Sequence, residues 1–289
     1  MERRAELELN DIENGSMRLR TKPSAQLSYS FVPQAGINAG QRPERLVVFL
    51  SGLDSPKTLW QGAFSGLADL AQTKGLHLPP LLAYDRFGIG KSDHDPSDVG
   101  KAPEEYHDGM DAVRDLRQLL IQIAEQKLDR EESELDKLRL AFCAHSFGVC
   151  VARLYAQTFP GSVEALLIMD SALSNKVAEK FLPNPDIPGE WEEGRGWLPP
   201  GTTPEMCRDA NRKLIRSNIS GHAMTTRERI RWTNMPAMLP FSDRPRLRGP
   251  EPNLPLVTVM CCDMDVSVRI LSKVCPALLR LCRGGSRGH

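Results

Sequence analysis

The chain has 289 residues, of which 37 are basic and 37 acidic, so its formal net charge at pH 7 is zero. With 40% hydrophobic and 26% charged residues, its composition is typical of a soluble globular chain with one large domain or two small ones. The balanced charge gives no indication of a nucleic acid or an anionic membrane as a partner.

The N-terminal residues and the cysteines bear on the compartment. Residues 1–8 are charged and contain no apolar stretch of the kind found in signal peptides. No run in the sequence is long enough to span a membrane. The seven cysteines are odd in number and lack zinc-type spacing, so we expect reduced thiols. We therefore expect a cytoplasmic protein with neither a metal nor a cofactor.

Short apolar runs alternate with segments of helical periodicity along most of the chain. Alternation of apolar and polar residues predicts two strands at 17–20 and 26–32, as in a hairpin. The apolar runs predict further strands at 45–50, 81–84, 138–143, 162–169 and 254–260. The periodic segments predict helices at 58–71, 106–127 and 149–158. In the first of these segments, Leu59, Phe64, Leu67 and Leu70 recur at roughly helical spacing. Alternating strands and helices predict an α/β fold with a mostly parallel central sheet and helices on both faces.

The composition changes between residues 173 and 252. Proline and glycine cluster at 184–200 and 235–252, and three of the four tryptophans fall in this segment. A plain loop of this length would be unusual in a compact domain. We therefore predict a helical lid at 173–252, inserted between core segments 1–172 and 253–289. A helix at 266–275 and a last strand at 277–282 would complete the core.

The sequence Ala144-His-Ser-Phe-Gly148 joins a predicted strand to a predicted helix. Small residues stand two positions on each side of Ser146, as in the nucleophile-elbow pattern, with Ala144 where the strict form has glycine. So sharp a turn pushes the serine hydroxyl above the sheet, at the positive end of the following helix. The alternative is an ordinary serine in a strand-to-helix turn.

Three motifs in this order resemble those of the α/β-hydrolase family. Residues 50–54 follow the third strand, where the family has His-Gly-x, and residues 144–148 resemble the elbow. Residues 85–92 resemble the family's Asp-x-x-Gly-x-Gly-x-Ser loop. A phosphate-binding loop fits there less well, because Asp85 occupies a position that requires glycine. The resemblance covers residues 25–175 closely and 253–289 loosely, and it implies that Asp85 and Arg86 are a scaffolding pair.

The resemblance implies a serine hydrolase that cleaves a small, largely apolar ester, thioester or lactone through an acyl-enzyme. Ser146 would attack the acyl carbon, a histidine would carry the proton, and a carboxylate would orient that histidine. The backbone N–H groups of Leu53 and Phe147 would form the oxyanion hole. Haloalkane dehalogenases and epoxide hydrolases of this family need an aspartate at the elbow, so Ser146 argues against both.

The resemblance also implies where the base and the acid lie. The family places its histidine after the last strand, and the sequence from Gly284 to His289 resembles that site. The acid would be Asp263 or Asp265, after the predicted strand 254–260, with Asp170 as the rival. His145 on the elbow would line the site. His289 is the last residue, so the helix that follows it in the family is missing, and we expect a truncated chain.

Two alternatives to a hydrolase stay open. A catalytically dead α/β-hydrolase-fold binding protein is favoured by Ala144 and by the short tail. An acyltransferase would need a pocket that excludes water. In every case we expect a small apolar molecule as the partner, and the sequence leaves the oligomeric state open.

Overall fold

A computed structural model gives the structure of this chain. It describes residues 12–36, 40–171, 186, 203–206, 208–209, 227–231, 234–241, 244–250 and 253–260. Asp263, Asp265 and His289 lie outside the described residues, as do the helix expected at 266–275 and the strand expected at 277–282. Most of the segment 173–252 lies outside them as well, so the lid stays a prediction.

The described part of the chain forms one seven-stranded sheet in the order β1-β2-β4-β3-β5-β6-β7. The strands are β1 (Glu13–Leu19), β2 (Lys22–Val32), β3 (Arg45–Leu50), β4 (Leu81–Tyr84), β5 (Arg139–His145), β6 (Val163–Met169) and β7 (Leu256–Met260). Strand β2 pairs antiparallel with β1 and with β4, and the other neighbours pair parallel. The predicted mostly parallel sheet is confirmed, and each of the seven strands predicted between residues 17 and 260 is present.

Helices cover both faces of this sheet. In the described ranges, the longer α-helices are α1 (Gln61–Lys74), α2 (Gly109–Lys127) and α3 (Phe147–Thr158), with a short turn at Met235–Met238 and helical residues at 204–206 and 208–209. The same ranges include 3-10 helices at Lys57–Trp60, Pro96–Asp98, Pro103–Glu105 and Glu132–Lys137. Side chains of β3 alternate between the faces: Val48 is buried in the cluster with α2 and α3, and Phe49 in the cluster with α1. This alternation follows from the two-residue period of a strand.

The buried face of α1 includes only some of the apolar residues whose spacing indicated the helix. Leu59 is 56% exposed and Leu70 is 48% exposed. The α-helix begins only at Gln61, after a 3-10 turn, which shifts the face that meets the sheet. The buried residues on that face are Trp60, Phe64, Ala68 and Ala71. Phe64 packs edge-on against Phe49 of β3, with ring centroids 4.9 Å apart, and both belong to the core cluster on this side of the sheet.

The parallel strands end at one edge of the sheet, where ligands bind in open α/β folds. The segment after β3 carries residues 51–54, and the segment after β4 carries residues 85–92. Ser146 follows β5 at the same edge, and Asp170 follows β6. The three sequence motifs therefore meet at one edge of the sheet.

Candidate active site

Ser146 has a backbone conformation that is unusual for a residue with a side chain. Its φ is 51° and its ψ is −121°, between the end of β5 and the start of α3. Such a conformation persists only where the surroundings hold it. The Ser146 N–H donates to the Met169 carbonyl at 3.1 Å, and the Ser171 hydroxyl donates to the Ser146 carbonyl at 2.8 Å. The half-buried serine side chain is thus placed at the N-terminus of a helix.

The backbone of the elbow lies against the segment that follows β3. A Cβ atom built on Gly148 would lie 2.3 Å from the Leu50 carbonyl oxygen and 2.8 Å from that of Ser51. Because these are backbone atoms, glycine is required at this position. Ala144, in contrast, is fully buried within β5. Its methyl group is accommodated in the core, so the departure from the strict elbow pattern leaves the turn intact.

Residues 51–54 lie beside Ser146; they are called the oxyanion loop below because the family resemblance implies that the Leu53 N–H belongs to an oxyanion hole. A Cβ atom built on Gly52 would lie 3.1 Å from the Ser146 Cβ and 3.2 Å from the His145 Nδ1. The small glycine therefore leaves room beside the serine. His145 lies next to both the elbow and the loop, and its buried Nδ1 has no hydrogen-bond partner among the residues that the structure describes.

The oxyanion loop is anchored by side chains from two other segments. The Trp60 Nε1 donates to the Ser51 hydroxyl at 2.9 Å. The Arg86 Nη1 donates to the Ser51 carbonyl at 2.8 Å, and its Nη2 donates to the Gly52 carbonyl at 2.7 Å. Asp54 has a positive φ of 53°, which an L residue rarely adopts. These bonds hold the loop in one conformation beside Ser146.

Asp85 organises the loop that follows β4. Its carboxylate accepts hydrogen bonds from the Lys57 N–H at 2.6 Å and from the Lys91 N–H at 3.1 Å. The loop wraps so tightly that a Cβ atom on Gly90 would lie 2.2 Å from the Asp85 Oδ2. The sequence predicted that Asp85 and Arg86 act together as scaffolding residues. Both make structural contacts, but each binds different partners.

The partner of Arg86 is Glu228, which the sequence analysis missed. The two side chains form a bidentate ion pair through Nε and Nη2 of the arginine, with Arg86 5% and Glu228 1% exposed. Burial alone would lower the pKa of Arg86, but the carboxylate of Glu228 raises it above its ordinary value. The guanidinium is therefore charged at every working pH. A buried arginine requires an acidic partner. The sequence around Arg86 does not indicate which acidic residue this is, because Glu228 lies 142 positions away.

A second buried charged cluster, made of Lys22, Asp95, Asp98, His107 and Asp115, was also missed. The Lys22 Nζ lies 2.6 Å from the Asp95 Oδ2 and 2.7 Å from the Asp115 Oδ2. The His107 Nδ1 lies 2.7 Å from the Asp98 Oδ2. Burial raises the pKa of Asp115 to about 6, against the pull of Lys22. Burial would lower the pKa of His107, but Asp98 raises it above its ordinary value.

A cavity between the Arg86–Glu228 ion pair and the cluster that contains His107 and Asp115 is too small for a substrate. It measures about 10 Å³ and is lined by residues that include Tyr84, Arg86, His107, Asp115 and Glu228. This volume corresponds to the space for roughly one water molecule. Burial raises the pKa of the Tyr84 phenol. We assign this region to the support of the site rather than to binding.

The structure brings some of the expected site residues together and leaves others outside its described part. Ser146, Phe147 and Leu53 lie at the same edge of the sheet, on the elbow and the oxyanion loop. Asp170 is exposed, with a φ of 46°, and its N–H donates to the Met260 carbonyl at 2.9 Å. The positions of Asp263, Asp265 and His289 relative to Ser146 stay predictions.

A family model described as "Alpha/beta hydrolase family" matches residues 47–284. This chain belongs to the alpha/beta hydrolase family. The match begins in β3 and includes all three motifs described above, as well as most of the segment after β7. Membership suggests hydrolase activity, and it leaves open which bond is cleaved.

Solved structures with a similar fold include enzymes of different specificity. An epoxide hydrolase from Vigna radiata is 14% identical with a TM-score of 0.39, over 63% of this chain and 43% of that one. An alpha/beta hydrolase from Novosphingobium aromaticivorans is 20% identical with a TM-score of 0.38, over 57% and 46%. A thioesterase domain from the curacin biosynthetic pathway is 17% identical with a TM-score of 0.39, over 58% and 50%. This chain thus spans half or less of the length of each.

Neither a curated relative nor, in the part of the chain that the structure describes, a membrane-spanning helix was found. No curated protein matches this sequence. Among the helices in the described ranges, none combines the length and the apolar character needed to cross a membrane.

Proposed function

We propose that this protein is a serine hydrolase that cleaves a small, largely apolar ester, thioester or lactone. The observation that carries the proposal is the conformation of Ser146, at φ 51° and ψ −121° between β5 and α3. A residue held in a sparsely populated conformation at a strand-to-helix turn is typical of the nucleophile in this fold. The absence of a side chain at Gly52 lets the loop after β3 lie close to the Ser146 side chain.

In the proposed reaction, the Ser146 hydroxyl attacks the acyl carbon and its proton passes to a histidine. Negative charge then develops on the substrate oxygen, which the N–H groups of Leu53 and Phe147 stabilise. Phe147 is the first residue of α3, and the first N–H groups of a helix have no partner within the helix. The histidine returns the proton to the leaving group, and water releases the acyl group from Ser146.

We propose His289 as the histidine and Asp263 or Asp265 as its acid, with Asp170 as the rival acid. These assignments depend on the resemblance of the sequence around them to the family pattern. The tryptophans and prolines of the segment 173–252 support an apolar substrate, and we propose that this segment is a lid. We also propose that the protein works in the cytoplasm. The serine at the elbow favours acyl transfer chemistry over epoxide or haloalkane hydrolysis, both of which require a carboxylate nucleophile there.

A fluorophosphonate probe, which reacts with activated serines, tests the proposal. We expect the probe to label the wild type and Ser65→Ala, and to leave Ser146→Ala unlabelled. Ser65 is a matched control because its hydroxyl donates to the Gln61 carbonyl within α1, away from the elbow. Labelling of Ser146→Ala would contradict the proposal. A folded wild type that is not labelled would favour the binding protein.

Hydrolysis of a panel of esters, thioesters and lactones with short and medium acyl chains would then define the bond cleaved. Adding an alcohol or amine acceptor distinguishes the acyltransferase. A transferase would form the acylated acceptor in preference to the free acid, whereas a hydrolase would release the acid at the same rate with and without the acceptor.

A further inference from the structure

The peptide bond between Gly52 and Leu53 is held by a hydrogen bond to its carbonyl oxygen. The Gly52 carbonyl and the Leu53 N–H belong to one planar trans peptide, so they point in opposite directions. The Arg86 Nη2 donates to this carbonyl at 2.7 Å. A bond that fixes the direction of the oxygen therefore also fixes the direction of the N–H. That N–H is the proposed donor to the oxyanion.

The geometry of the guanidinium strengthens this constraint. The Arg86 Nη1 donates to the preceding carbonyl, of Ser51, at 2.8 Å. Two successive carbonyls are thus bound by one rigid planar fork, which a lysine could not reproduce. A hydrogen bond to the carbonyl also polarises the peptide and makes its N–H a better donor.

Glu228 holds the fork and the far end of the same loop. Its carboxylate pairs with the Nε and Nη2 of Arg86, and its Oε2 accepts a hydrogen bond from the Asp54 N–H at 3.3 Å. In return, the Glu228 N–H donates to the Asp54 Oδ1 at 3.1 Å. The oxyanion loop is therefore bound at residues 51, 52 and 54, on both sides of Leu53.

Arg86 also contacts the other half of the proposed oxyanion hole. Its guanidinium carbon lies 5.3 Å from the centroid of the Phe147 ring, within the range of a cation–π contact. Phe147 carries the second proposed donor. One side chain thus touches the segments that supply both N–H groups.

The segment that contains Glu228 packs closely against the loop after β4. A Cβ atom on Gly88, whose φ is +85°, would lie 2.9 Å from the Glu228 Cα and 2.8 Å from the Arg227 carbonyl oxygen. Only glycine allows this approach. Residues 227–231 belong to the segment 173–252, so this segment supplies one half of the ion pair that supports the oxyanion loop.

We propose that Arg86 and Glu228 are positioning residues that aim the Leu53 N–H at the developing oxyanion. Neither residue touches the substrate in this proposal, and the inference rests on the proposed serine hydrolase function. A buried ion pair is weak evidence of a contribution to stability. The partners of this pair instead point to a role in the site, because its further hydrogen bonds go to residues 51, 52 and 54 of one loop.

The variant Arg86→Lys tests the role of the fork, because it keeps the charge and loses the planar set of donors. We expect kcat to fall by about a hundredfold, as for the loss of one oxyanion donor, with KM within about threefold of the wild type. Glu228→Gln keeps both Arg86–carbonyl bonds and should lower kcat less, by about tenfold, on the same scale. The rate of fluorophosphonate labelling should fall in parallel, since the phosphonyl oxygen occupies the same hole.

Arg45→Lys is the matched control. Arg45 makes a similar bidentate ion pair with Glu164 at the start of β3, the opposite end of the strand from the site. We expect this variant to keep the wild-type kcat and labelling rate.

Activity is expressed per labelled site, so that partial unfolding does not count as lost activity. A folded Arg86→Lys with wild-type kcat per site would overturn the inference, and so would a loss that only follows the labelled fraction. If Arg86→Lys fails to fold, Glu228→Gln decides by the same criteria. A wild type without labelling of Ser146 would overturn the proposed function, and the inference with it, whereas a labelled wild type with unaffected variants would overturn the inference alone.

Discussion

At the scale of single residues, the elbow depends on the absence of a side chain at Gly148. At Gly148 a side-chain carbon would meet two carbonyl oxygens of the segment after β3, the nearer at 2.3 Å. Neither oxygen can move without shifting the oxyanion loop. The same contact that requires glycine therefore also sets the distance between the nucleophile and the proposed oxyanion donors.

We predict that Gly148→Ala destabilises the protein and slows its labelling by a fluorophosphonate. The added methyl group should lower the free energy of unfolding by about 1–3 kcal/mol, the usual range for overpacking. It should also lower the rate of fluorophosphonate labelling by about a hundredfold, because displacing the loop by 1 Å misplaces the donors. Urea unfolding and labelling kinetics measure the two effects.

Gly62→Ala is the control for this substitution. Gly62 lies in α1, and apart from its chain neighbours and the adjacent helix backbone, no heavy atom of the described residues lies within 4 Å of a built Cβ. Alanine there should raise the free energy of unfolding by roughly 0.5–1 kcal/mol, because it restricts the unfolded chain. Equal labelling rates for Gly148→Ala and Gly62→Ala would contradict the proposed role of the close approach.

At the scale of elements, the half-buried Lys22 links β2 to α2. The Lys22 Nζ bridges Asp115 of α2 and Asp95 of the loop before it. Burial raises the pKa of Asp115 from 3.8 to about 6. A group whose pKa is higher in the folded than in the unfolded state stabilises the fold below the unfolded pKa. That contribution is lost as the pH rises through the folded pKa.

We therefore predict that Asp115→Asn flattens the dependence of stability on pH between about 4 and 6. The wild type should lose on the order of 3 kcal/mol from this group across that window, from the shift in pKa. Lys22 keeps Asp95 as its partner in the variant, so no charge is left unpaired. His107, whose pKa is raised above its ordinary value, acts in the same direction at higher pH and is common to both proteins.

Urea unfolding at several pH values measures this difference. Asp136→Asn is the control, because Asp136 pairs with Arg117 through a side chain that is 79% exposed. The control should follow the wild-type curve. A curve for Asp115→Asn that runs parallel to the wild type would show that Asp115 is not the group that titrates.

The elements also show where sequence patterns suffice. The central strand β3 was predicted because a strand buried on both faces has a continuous apolar run, whereas β1 and β2 were predicted from alternating apolar and polar residues. The start of α2 was predicted at Tyr106, but the helix begins at Gly109, where the Asp108 side chain caps the Met110 N–H at 2.8 Å. That carboxylate also binds the Asn234 Nδ2 at 2.6 Å, a distant contact that the local pattern does not contain.

At the scale of the whole molecule, the site combines local and distant information. Ser146 and Gly148 are two positions apart in the sequence, so a short motif could indicate them. Arg86 and Glu228 meet only because the chain folds, and their types alone do not predict the pairing. The acid and the base were assigned through the family pattern, which fixes their order along the chain and leaves the choice between neighbouring aspartates open.

The last prediction concerns this choice. We expect His289→Ala to lower kcat by about ten-thousandfold, the scale seen when a triad loses its base or its orienting acid. Of Asp263→Asn, Asp265→Asn and Asp170→Asn, one alone should show a comparable loss, because a single carboxylate orients the imidazole. The exposed His77→Ala is the control and should keep full activity.

The dependence of kcat/KM on pH separates catalysis from folding in these variants. The wild type should show an acidic limb, since the base must be neutral to accept the serine proton. His289→Ala should lose that limb, whereas a variant that is merely less stable would keep it at lower amplitude. If His289→Ala keeps both the limb and its rate, another histidine is the base. His145, whose Nδ1 lies beside Gly52, then becomes the first residue to replace, because a proton acceptor must approach the serine from the same edge of the sheet.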